Sequence, residues 1–203
     1  VESISTAERH PFLMGVKFTA AVDVDNPLYG AQGAAHIFAP QKGASPEMVE
    51  RLDKALRHYA EVVDVDAAEV AGAGAAGGMG YALHTMLGAR MRPGIEIVLA
   101  LLDFERRAQG ASLVVTGEGS IDAQTLHGKA PAGVLAAAQR LGIPVVALGG
   151  RVECESALLA GGFHAVRAIT PNDQPTDVAM QRETAIANME RAARELARQI
   201  ISQ

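Results

Sequence analysis

The sequence contains one cysteine and no tryptophan, and aromatic residues make up only 4% of it. The single thiol, that of Cys154, rules out an internal disulfide framework and a zinc site made of four cysteines. We therefore expect a protein of the reducing cytoplasm. Alanine and glycine are abundant instead of aromatic residues. That composition favours close packing of helices on a sheet and glycine-rich ligand loops over an aromatic sugar platform.

Basic clusters and long apolar runs are missing as well. The formal net charge is −5, and no stretch combines clustered lysine and arginine with aromatic residues. This argues against nucleic acid as a partner, because nucleic acid requires a basic surface. No apolar run approaches the roughly 20 residues that a transmembrane helix needs, so we expect no membrane partner. With 49% hydrophobic residues, the chain has the composition of a globular protein.

The stretch richest in chemically active side chains follows an apolar run at residues 113–116. This run is typical of a buried strand, and Gly117 and Gly119 are expected to break the strand into a tight turn. Pro131 is expected to open an alanine-rich helix that ends at Leu141. Ligands of open α/β sheets bind beyond the carboxyl ends of strands, so we expect an anion site here. The polar residues between the strand and the helix are Glu118, Asp122, Gln124, Thr125, His127 and Lys129.

An acidic pattern lies in the first part of the chain. Residues 16–24 are predicted to form a strand that Pro27 terminates, with the carboxylates of Asp23 and Asp25 on one face. An Asp-x-Asp pattern after an apolar strand is also typical of haloacid-dehalogenase-type phosphotransferases. Those enzymes need a paired-acid motif further along the chain, and no clear partner exists here. A phosphotransferase of that type is an alternative interpretation.

A helix is predicted over Pro46–Val63, because Ser45 is a good N-cap and proline is favoured at the first helical position. Its charged residues are expected on the solvated face. The turn before it presents Lys42. The apolar positions that recur at helical spacing are Met48, Leu52, Leu56 and Tyr59.

Three glycines, Gly72, Gly74 and Gly77, match the dinucleotide-binding fingerprint in spacing. The preceding segment is acidic and broken, whereas that fingerprint requires a buried strand before the turn. Two interpretations are left. The small residues before the helix Met79–Leu87 bring backbone amides close to an anion, or they allow the helix to pack closely against a neighbour.

Strands and helices alternate in the last part of the chain, which predicts right-handed crossovers and a parallel, Rossmann-like sheet in a three-layer α/β/α arrangement. Residues 95–99 fit either a strand or the start of a buried helix. We expect a glycine-rich α/β middle domain over residues 1–106 and the C-terminal half of a Rossmann-like domain over residues 107–203. The strands are predicted at 113–116, 145–148 and 165–170, and the helices at 131–141, 154–160 and 177–201.

Three stretches together resemble the bacterial glycerate kinase family, whose members phosphorylate D-glycerate from ATP. They are DVDNPLYGAQGAAHIFAPQKGAS at Asp23–Ser45, AGAGAAGGMGYAL at Ala71–Leu83 and TGEGSIDAQTLHGKAP at Thr116–Pro131. Members of the family usually carry arginine where this chain has Ser120. The family's N-terminal strand with its Asp-Ser-Phe-Lys motif, and its acidic glycine-rich motifs, are absent. We therefore expect this chain to be the C-terminal part of a longer protein.

The resemblance implies transfer of the γ-phosphoryl group of ATP to D-glycerate, with the 2-hydroxyl as the expected acceptor. Such chemistry needs a cation on the moving phosphate and a carboxylate that accepts the hydroxyl proton or holds metal. We assign these catalytic roles to Lys129 and Asp122. No spacing supports a transition-metal site, so Mg²⁺ is expected only with ATP, through Asp122 or Glu118. The alternative is a purely structural role, in which Asp122 caps a turn and Lys129 is a solvated residue.

The family motifs also imply a set of substrate- and phosphate-binding residues. A homodimer is a further expectation, and a non-catalytic, ligand-binding fragment of such a kinase is the remaining alternative. The implied binding residues are Glu118, Gly119, Gln124, Thr125, His127, Gly128, Asp23, Asp25, Asn26, Gln41, Lys42, Gly74, Gly77 and Gly78.

Overall fold

A computed structural model describes residues 2–5, 7–126 and 128–201, with side chains described up to Arg198. The chain divides into two compact units, Val1–Ile97 and Val98–Gln203. Each unit is α/β and contains its own parallel sheet, which confirms the predicted class of a mixed α/β protein with parallel strands. The assignment of residues 1–106 to a middle domain stays a prediction. No helix in the described ranges is both long and apolar enough to cross a membrane.

The sheet of the first unit consists of two short strands. Strand β1, Thr19–Ala21, runs parallel to strand β2, Arg90–Arg92. The prediction of a strand over residues 16–24 was wrong at both ends, since only three residues pair. The N–H of Val22 still donates to the carbonyl of Arg92 at 2.9 Å. Pairing ends there because the N–H of Gly94, the next donor in the alternating pattern of the parallel pair, donates to Oδ1 of Asp23 at 2.8 Å instead of to a β1 carbonyl.

Four α-helices begin among the described residues of the first unit, and two of them cover the predicted residues. The helix over Pro46–Val63 begins as expected, with the hydroxyl of Ser45 accepting a hydrogen bond from the N–H of Met48 at 3.3 Å. Residues 95–99 lie in a helix, which settles the choice that the sequence left open. The helices are α1, Ala34–Phe38; α2, Pro46–Val63; α3, Met79–Leu87; and α4, Gly94–Leu101.

The buried face of α2 agrees with the predicted one at Leu56 and Tyr59, which are partly buried against the core, and differs at the other two apolar positions. Met48 is 52% exposed and Leu52 is 42% exposed, so both lie outside the core. The buried positions are Val49, Asp53 and Ala60. A large aromatic residue, Tyr81 of α3, is fully buried in this core. The other fully or nearly fully buried members are Leu28, Ala60, Ala67, Ala68 and Ala73.

The second unit contains a three-stranded parallel sheet with the order β3-β4-β5. This confirms the parallel arrangement of three strands. The helix predicted over residues 177–201 is divided into two helices, with a break at Met180 and Gln181. The elements are α5, Phe104–Ala108; β3, Val114–Ile121; α6, Ala130–Arg140; β4, Val145–Val152; α7, Glu155–Ala160; β5, Ala165–Ala168; α8, Thr176–Ala179; and α9, Arg182–Ile201.

Strand β3 does not end at its glycines, so the predicted break at Gly117 and Gly119 was wrong. Gly117 pairs with Leu148 of β4, and the pairing continues to Ile121. A Cβ atom on Gly117 would lie 2.3 Å from the carbonyl oxygen of Leu148. The glycine therefore allows two backbones to approach closely instead of turning the chain. As a consequence, Glu118 lies on a strand and not in a loop.

Candidate functional site

Four polar side chains at the carboxyl end of β3 form one connected set. The hydroxyl of Thr125, which is fully buried, donates a hydrogen bond to Oε1 of Glu118. The same hydroxyl accepts a hydrogen bond from the backbone N–H of Asp122 at 3.1 Å. The ammonium of Lys129 lies 3.4 Å from Oδ1 of Asp122. The structure thus brings together the two residues with predicted catalytic roles, although those roles stay predictions.

The position of Asp122 follows from the turn that it opens. Its Oδ1 accepts a hydrogen bond from the N–H of Gln124 at 2.8 Å, and its carbonyl accepts one from the N–H of Thr125 at 3.0 Å. These bonds hold the 3₁₀ turn Ala123–Leu126. Asp122 therefore caps a turn and also faces a cation. The side chain of Asp122 is 32% exposed and that of Lys129 is 36% exposed, so a ligand can reach both.

Lys129 occupies the N-cap position of α6. Its carbonyl accepts hydrogen bonds from the N–H groups of Ala132 and Gly133 at 3.0 and 3.2 Å. Gly128, with a φ of +81°, takes the left-handed conformation that brings the chain into the helix. The positive end of the helix dipole and the ammonium of Lys129 thus occur at the same helix start. The neighbouring His127, a predicted binding residue, lies outside the described residues.

A resident metal site is not formed by the described side chains. Among these residues, no three His, Cys, Asp or Glu side chains gather where they could hold a metal ion. Glu118 and Asp122 nevertheless supply the hard carboxylate oxygens that Mg²⁺ prefers. Nucleotide-bound Mg²⁺ takes only one or two protein carboxylates, because phosphate and water oxygens complete its coordination. The donors fit an ion that arrives with ATP.

Two loops of the first unit that contain the predicted binding residues Asn26 and Gly74 pack on each other. The N–H of Gly74 donates to the carbonyl of Asn26 at 2.9 Å, and Nδ2 of Asn26 donates to the carbonyl of Gln32 at 2.8 Å. A Cβ atom on Gly74 would lie 2.3 Å from the carbonyl oxygen of Pro27. Close packing between backbones therefore explains this glycine.

Gly77 and Gly78 have a different backbone requirement. Their φ angles are +74° and +103°, in the left-handed region, and Gly78 is the N-cap of α3. A Cβ atom on Gly77 would meet no other atom within 4 Å, so this glycine lies beside open space. The N–H groups of Gly77 and Gly78 donate to the carbonyls of Gly74 and Ala75, both at 3.2 Å, so a backbone ligand loop at Gly77 stays a prediction, while Gly74 serves packing.

Asp23 and Asp25 follow β1 and do not share a strand face as predicted. The strand ends before them because its partner β2 is only three residues long. Oδ1 of Asp23 accepts a hydrogen bond from the N–H of Gly94 at 2.8 Å, so Asp23 caps the first turn of α4. Asp25 is exposed. The geometry gives no support to an Asp-x-Asp phosphotransferase.

Gln41 and Lys42 lie in an exposed 3₁₀ turn, Pro40–Lys42, which ends at Gly43. No hydrogen bond or ion pair between described residues joins Lys42 to Asp23 or Asn26. The structure therefore does not bring these predicted binding residues of the first unit into one cluster.

The sequence interpretation missed two charged residues, the first of which is Asp53 on α2. This carboxylate was expected on the solvated face, but the residue is only 7% exposed. Oδ1 of Asp53 accepts a hydrogen bond from the N–H of Gly30 at 2.7 Å, which explains its burial. A signal was present, because Asp53 follows Val49 by four residues and therefore lies on the same helix face.

The second residue is Arg151, which precedes the last residue of β4. Its Cα is the register partner of Ser120 on β3, and its guanidinium donates to the hydroxyl of Thr176. Both Arg151 and Thr176 are exposed. The sequence signal was a Gly-Gly-Arg run after the apolar residues of β4, similar in placement to the glycines of β3.

Comparison with known proteins matches residues 1–201 to the glycerate kinase family. A glycerate kinase of Bacillus cereus is 43% identical over 202 residues, which cover 97% of this chain and 52% of that relative. The glycerate 2-kinase of Escherichia coli K12 is 43% identical over 192 residues, which cover 92% of this chain and 50% of that protein. The chain spans about half the length of these relatives.

A solved structure agrees with the sequence matches. The crystal structure of a Salmonella typhimurium LT2 protein assigned as glycerate kinase 2 superposes with a TM-score of 0.74. It is 40% identical in sequence, and the match covers 98% of this chain and 52% of that one. Fold and sequence therefore point to the same family.

Proposed function

Because the chain belongs to the glycerate kinase family, we propose that the gene product carrying it transfers the γ-phosphoryl group of ATP to D-glycerate. The observation that carries this proposal is the connected set Glu118, Thr125, Asp122 and Lys129 at the carboxyl end of β3. We propose the 2-hydroxyl as the acceptor, and a relative named glycerate 2-kinase supports that choice.

Each member of the set has a proposed part in the reaction. Lys129 contributes an ammonium that binds an anionic oxygen of the substrate and offsets charge on the transferred group. Asp122 contributes a carboxylate that accepts the proton of the attacking hydroxyl. The buried hydroxyl of Thr125 ties Asp122 to Glu118 and so fixes the turn on the strand. The reacting groups are thus positioned before the substrate arrives.

ATP and Mg²⁺ are part of the same proposal. Glu118 or Asp122 would hold the Mg²⁺ that arrives with ATP. When bound, this ion neutralises negative charge on the β- and γ-phosphates. The glycine loop around Gly77 and the predicted binding residues of the first unit would bind further anionic groups. That part of the proposal is supported by the open space beside Gly77.

A second candidate function is a ligand-binding part that does not turn over substrate alone. The observation that favours it is the length of the chain, about half that of the glycerate kinases it matches. Under this alternative, the connected set binds anions but lacks groups that complete the reaction in longer relatives.

Turnover and binding measurements distinguish the two candidates. The 203-residue chain and the gene product that carries it would each be mixed with Mg-ATP and D-glycerate. Formation of ADP gives the rate, and phosphorus NMR identifies the phosphorylated hydroxyl. Turnover by both supports the kinase. Calorimetric binding of Mg-ATP by the 203-residue chain without turnover supports the binding part. Absence of turnover by the gene product contradicts the kinase proposal.

Location and assembly complete the proposal. The thiol of Cys154 is free and exposed, which is compatible with a reducing cytoplasm. Cell fractionation tests the location. A homodimer is proposed on the basis of the sequence expectation alone, and sedimentation equilibrium tests it.

A further inference from the structure

Arg151 lies at the edge of the sheet where the connected set lies. Strands β3 and β4 are parallel and paired from Val114 to Ile121, so their carboxyl ends meet at one edge. Asp122 follows the last residue of β3, and Arg151 precedes the last residue of β4. A cation from the neighbouring strand is therefore placed at the edge that holds Asp122 and Lys129.

The charge of Arg151 is not neutralised by a carboxylate of the described residues. Several other arginines of the same unit form ion pairs, including Arg140 with Glu105 at 2.7 Å and Arg191 with Glu195 at 3.1 Å. Among the described partners, the guanidinium of Arg151 donates to a neutral group, the hydroxyl of Thr176. A guanidinium has five donors, so most of them face solvent at this exposed position.

The register of the sheet relates Arg151 to Ser120. These residues are direct partners, and adjacent strands lie about 4.8 Å apart. Side chains of paired residues point to the same face, so the long side chain at 151 reaches over the place of the short one at 120. Ser120 is the position at which the family resemblance led us to expect arginine. At this register position the sheet therefore carries a cation on β4 instead of on β3.

We propose that Arg151 is a binding residue for an anionic group of the substrates, and that it supplies from β4 the positive charge that Ser120 does not supply from β3. The inference rests on the proposed kinase function. The guanidinium fork of Arg151 matches the two oxygens of a carboxylate or a phosphate. The group bound is therefore the carboxylate of glycerate or a phosphate of ATP.

Steady-state kinetics of the gene product test this assignment. The change Arg151→Ser should raise KM for one anionic substrate by about 10- to 100-fold, the effect of losing a charge-assisted hydrogen bond. A rise confined to glycerate identifies its carboxylate as the bound group, and a rise confined to ATP identifies a phosphate. Wild-type values of both constants would overturn the assignment. A wild-type protein that does not phosphorylate glycerate would instead overturn the proposed function and this inference with it.

A rescue variant separates ligand binding from a structural effect. Adding Ser120→Arg to Arg151→Ser returns the charge to the neighbouring strand and should restore at least half of the lost affinity on a logarithmic scale. Thr176→Val removes the hydrogen-bond partner of Arg151 but keeps the cation, so KM should stay within about twofold of the wild type. If Thr176→Val reproduces the effect of Arg151→Ser, or if the charge swap restores nothing, Arg151 only holds α8.

Discussion

The ammonium of Lys129 lies 3.4 Å from Oδ1 of Asp122, across the 3₁₀ turn Ala123–Leu126. Both side chains keep about a third of their surface open, at 36% and 32%. An ion pair this exposed contributes only about 0–1 kcal/mol to stability. Thr125, which bonds to the N–H of Asp122, is fully buried. A weak pair on a firmly held turn is suited to exchange its internal contact for a contact with a ligand.

Asp122→Asn tests the carboxylate. Asparagine keeps the size of the side chain and can still accept the hydrogen bond from the N–H of Gln124, so the turn should survive. Turnover in the gene product should fall by about 100-fold or more, with little change in Tm, if the carboxylate accepts the glycerate proton or holds Mg²⁺. Near-normal turnover at saturating ATP and glycerate would show that Asp122 serves only as a turn cap.

Lys129→Met tests the cation, because methionine keeps much of the apolar stem and removes the charge. Calorimetry should show that Mg-ATP or glycerate binds about 10- to 100-fold more weakly. The free energy of unfolding should change by less than about 1 kcal/mol, since the pair with Asp122 is exposed. Lys54→Met, at an exposed position of α2, is the control and should leave both affinities unchanged. Unaltered affinities in the Lys129 variant would contradict its role.

Thr125→Val tests the buried hydroxyl. Valine has nearly the same shape, but it leaves the N–H of Asp122 and Oε1 of Glu118 without this partner. The free energy of unfolding in urea should drop by about 1–3 kcal/mol, and turnover should drop too. Thr125→Ser retains the hydroxyl and should retain most of the turnover. Equal turnover in the Val and Ser variants would show that the hydroxyl does not position Asp122.

Gly117 and Gly119 provide a matched pair within β3. A Cβ atom at 117 would lie 2.3 Å from the carbonyl oxygen of Leu148, whereas one at 119 would meet nothing within 4 Å. Gly117→Ala should therefore destabilise the protein by about 1–3 kcal/mol or more, and Gly119→Ala should change stability by no more than about 0.5 kcal/mol. Denaturant unfolding curves give both values. Similar losses for the two variants would argue against the close approach of β3 and β4.

Tyr81 should make stability depend on pH under alkaline conditions. Burial raises the pKa of Tyr81 above its ordinary value of 10.0. The folded state thus favours the protonated phenol, which donates to the carbonyl of Asp64 at 2.8 Å. This contribution is complete below pH 10.0 and is lost as the pH rises from there through the folded-state pKa. Unfolding measured at increasing pH, from about 8 to well above 10.0, should show the loss in the wild type. Tyr81→Phe should show less of it.

The predictable parts of the fold are those with local signals. Helix α2 covers the predicted residues because Ser45 and Pro46 define its start within one turn. Helix α3 does so because it lies between Gly78 and Gly88, which both take left-handed φ values. These signals act within a few residues of the helix ends, and so they can be seen in the sequence.

The unpredicted parts depend on neighbours that are distant along the chain. Strand β2 has only the three residues Arg-Met-Arg, which are too few for their alternation to indicate a strand, and it exists because it pairs with β1. The length of β3 was underestimated because the need for glycine at 117 comes from Leu148 on another strand. From the local sequence a glycine predicts a turn, whereas within a sheet a glycine can also mark a place where two backbones approach closely.

The candidate site shows the same division. Glu118, Asp122, Thr125 and Lys129 lie within one short stretch, so their proximity could be predicted from the sequence. Arg151 could not be added to them in advance, since its place depends on the register between β3 and β4. A change of two residues in that register would remove it from the side of Ser120.

The order β3-β4-β5 is also the order in which a ribosome makes these strands. Each strand after the first is added to an edge that has already left the exit tunnel. None of the three strands has to be inserted between two that were made earlier. Since domains generally fold as units while synthesis proceeds, this sheet can grow in the direction of translation. The edge of β3 that pairs with β4 then waits only for the synthesis of α6 and β4, which limits the time for which that edge could pair with another nascent chain.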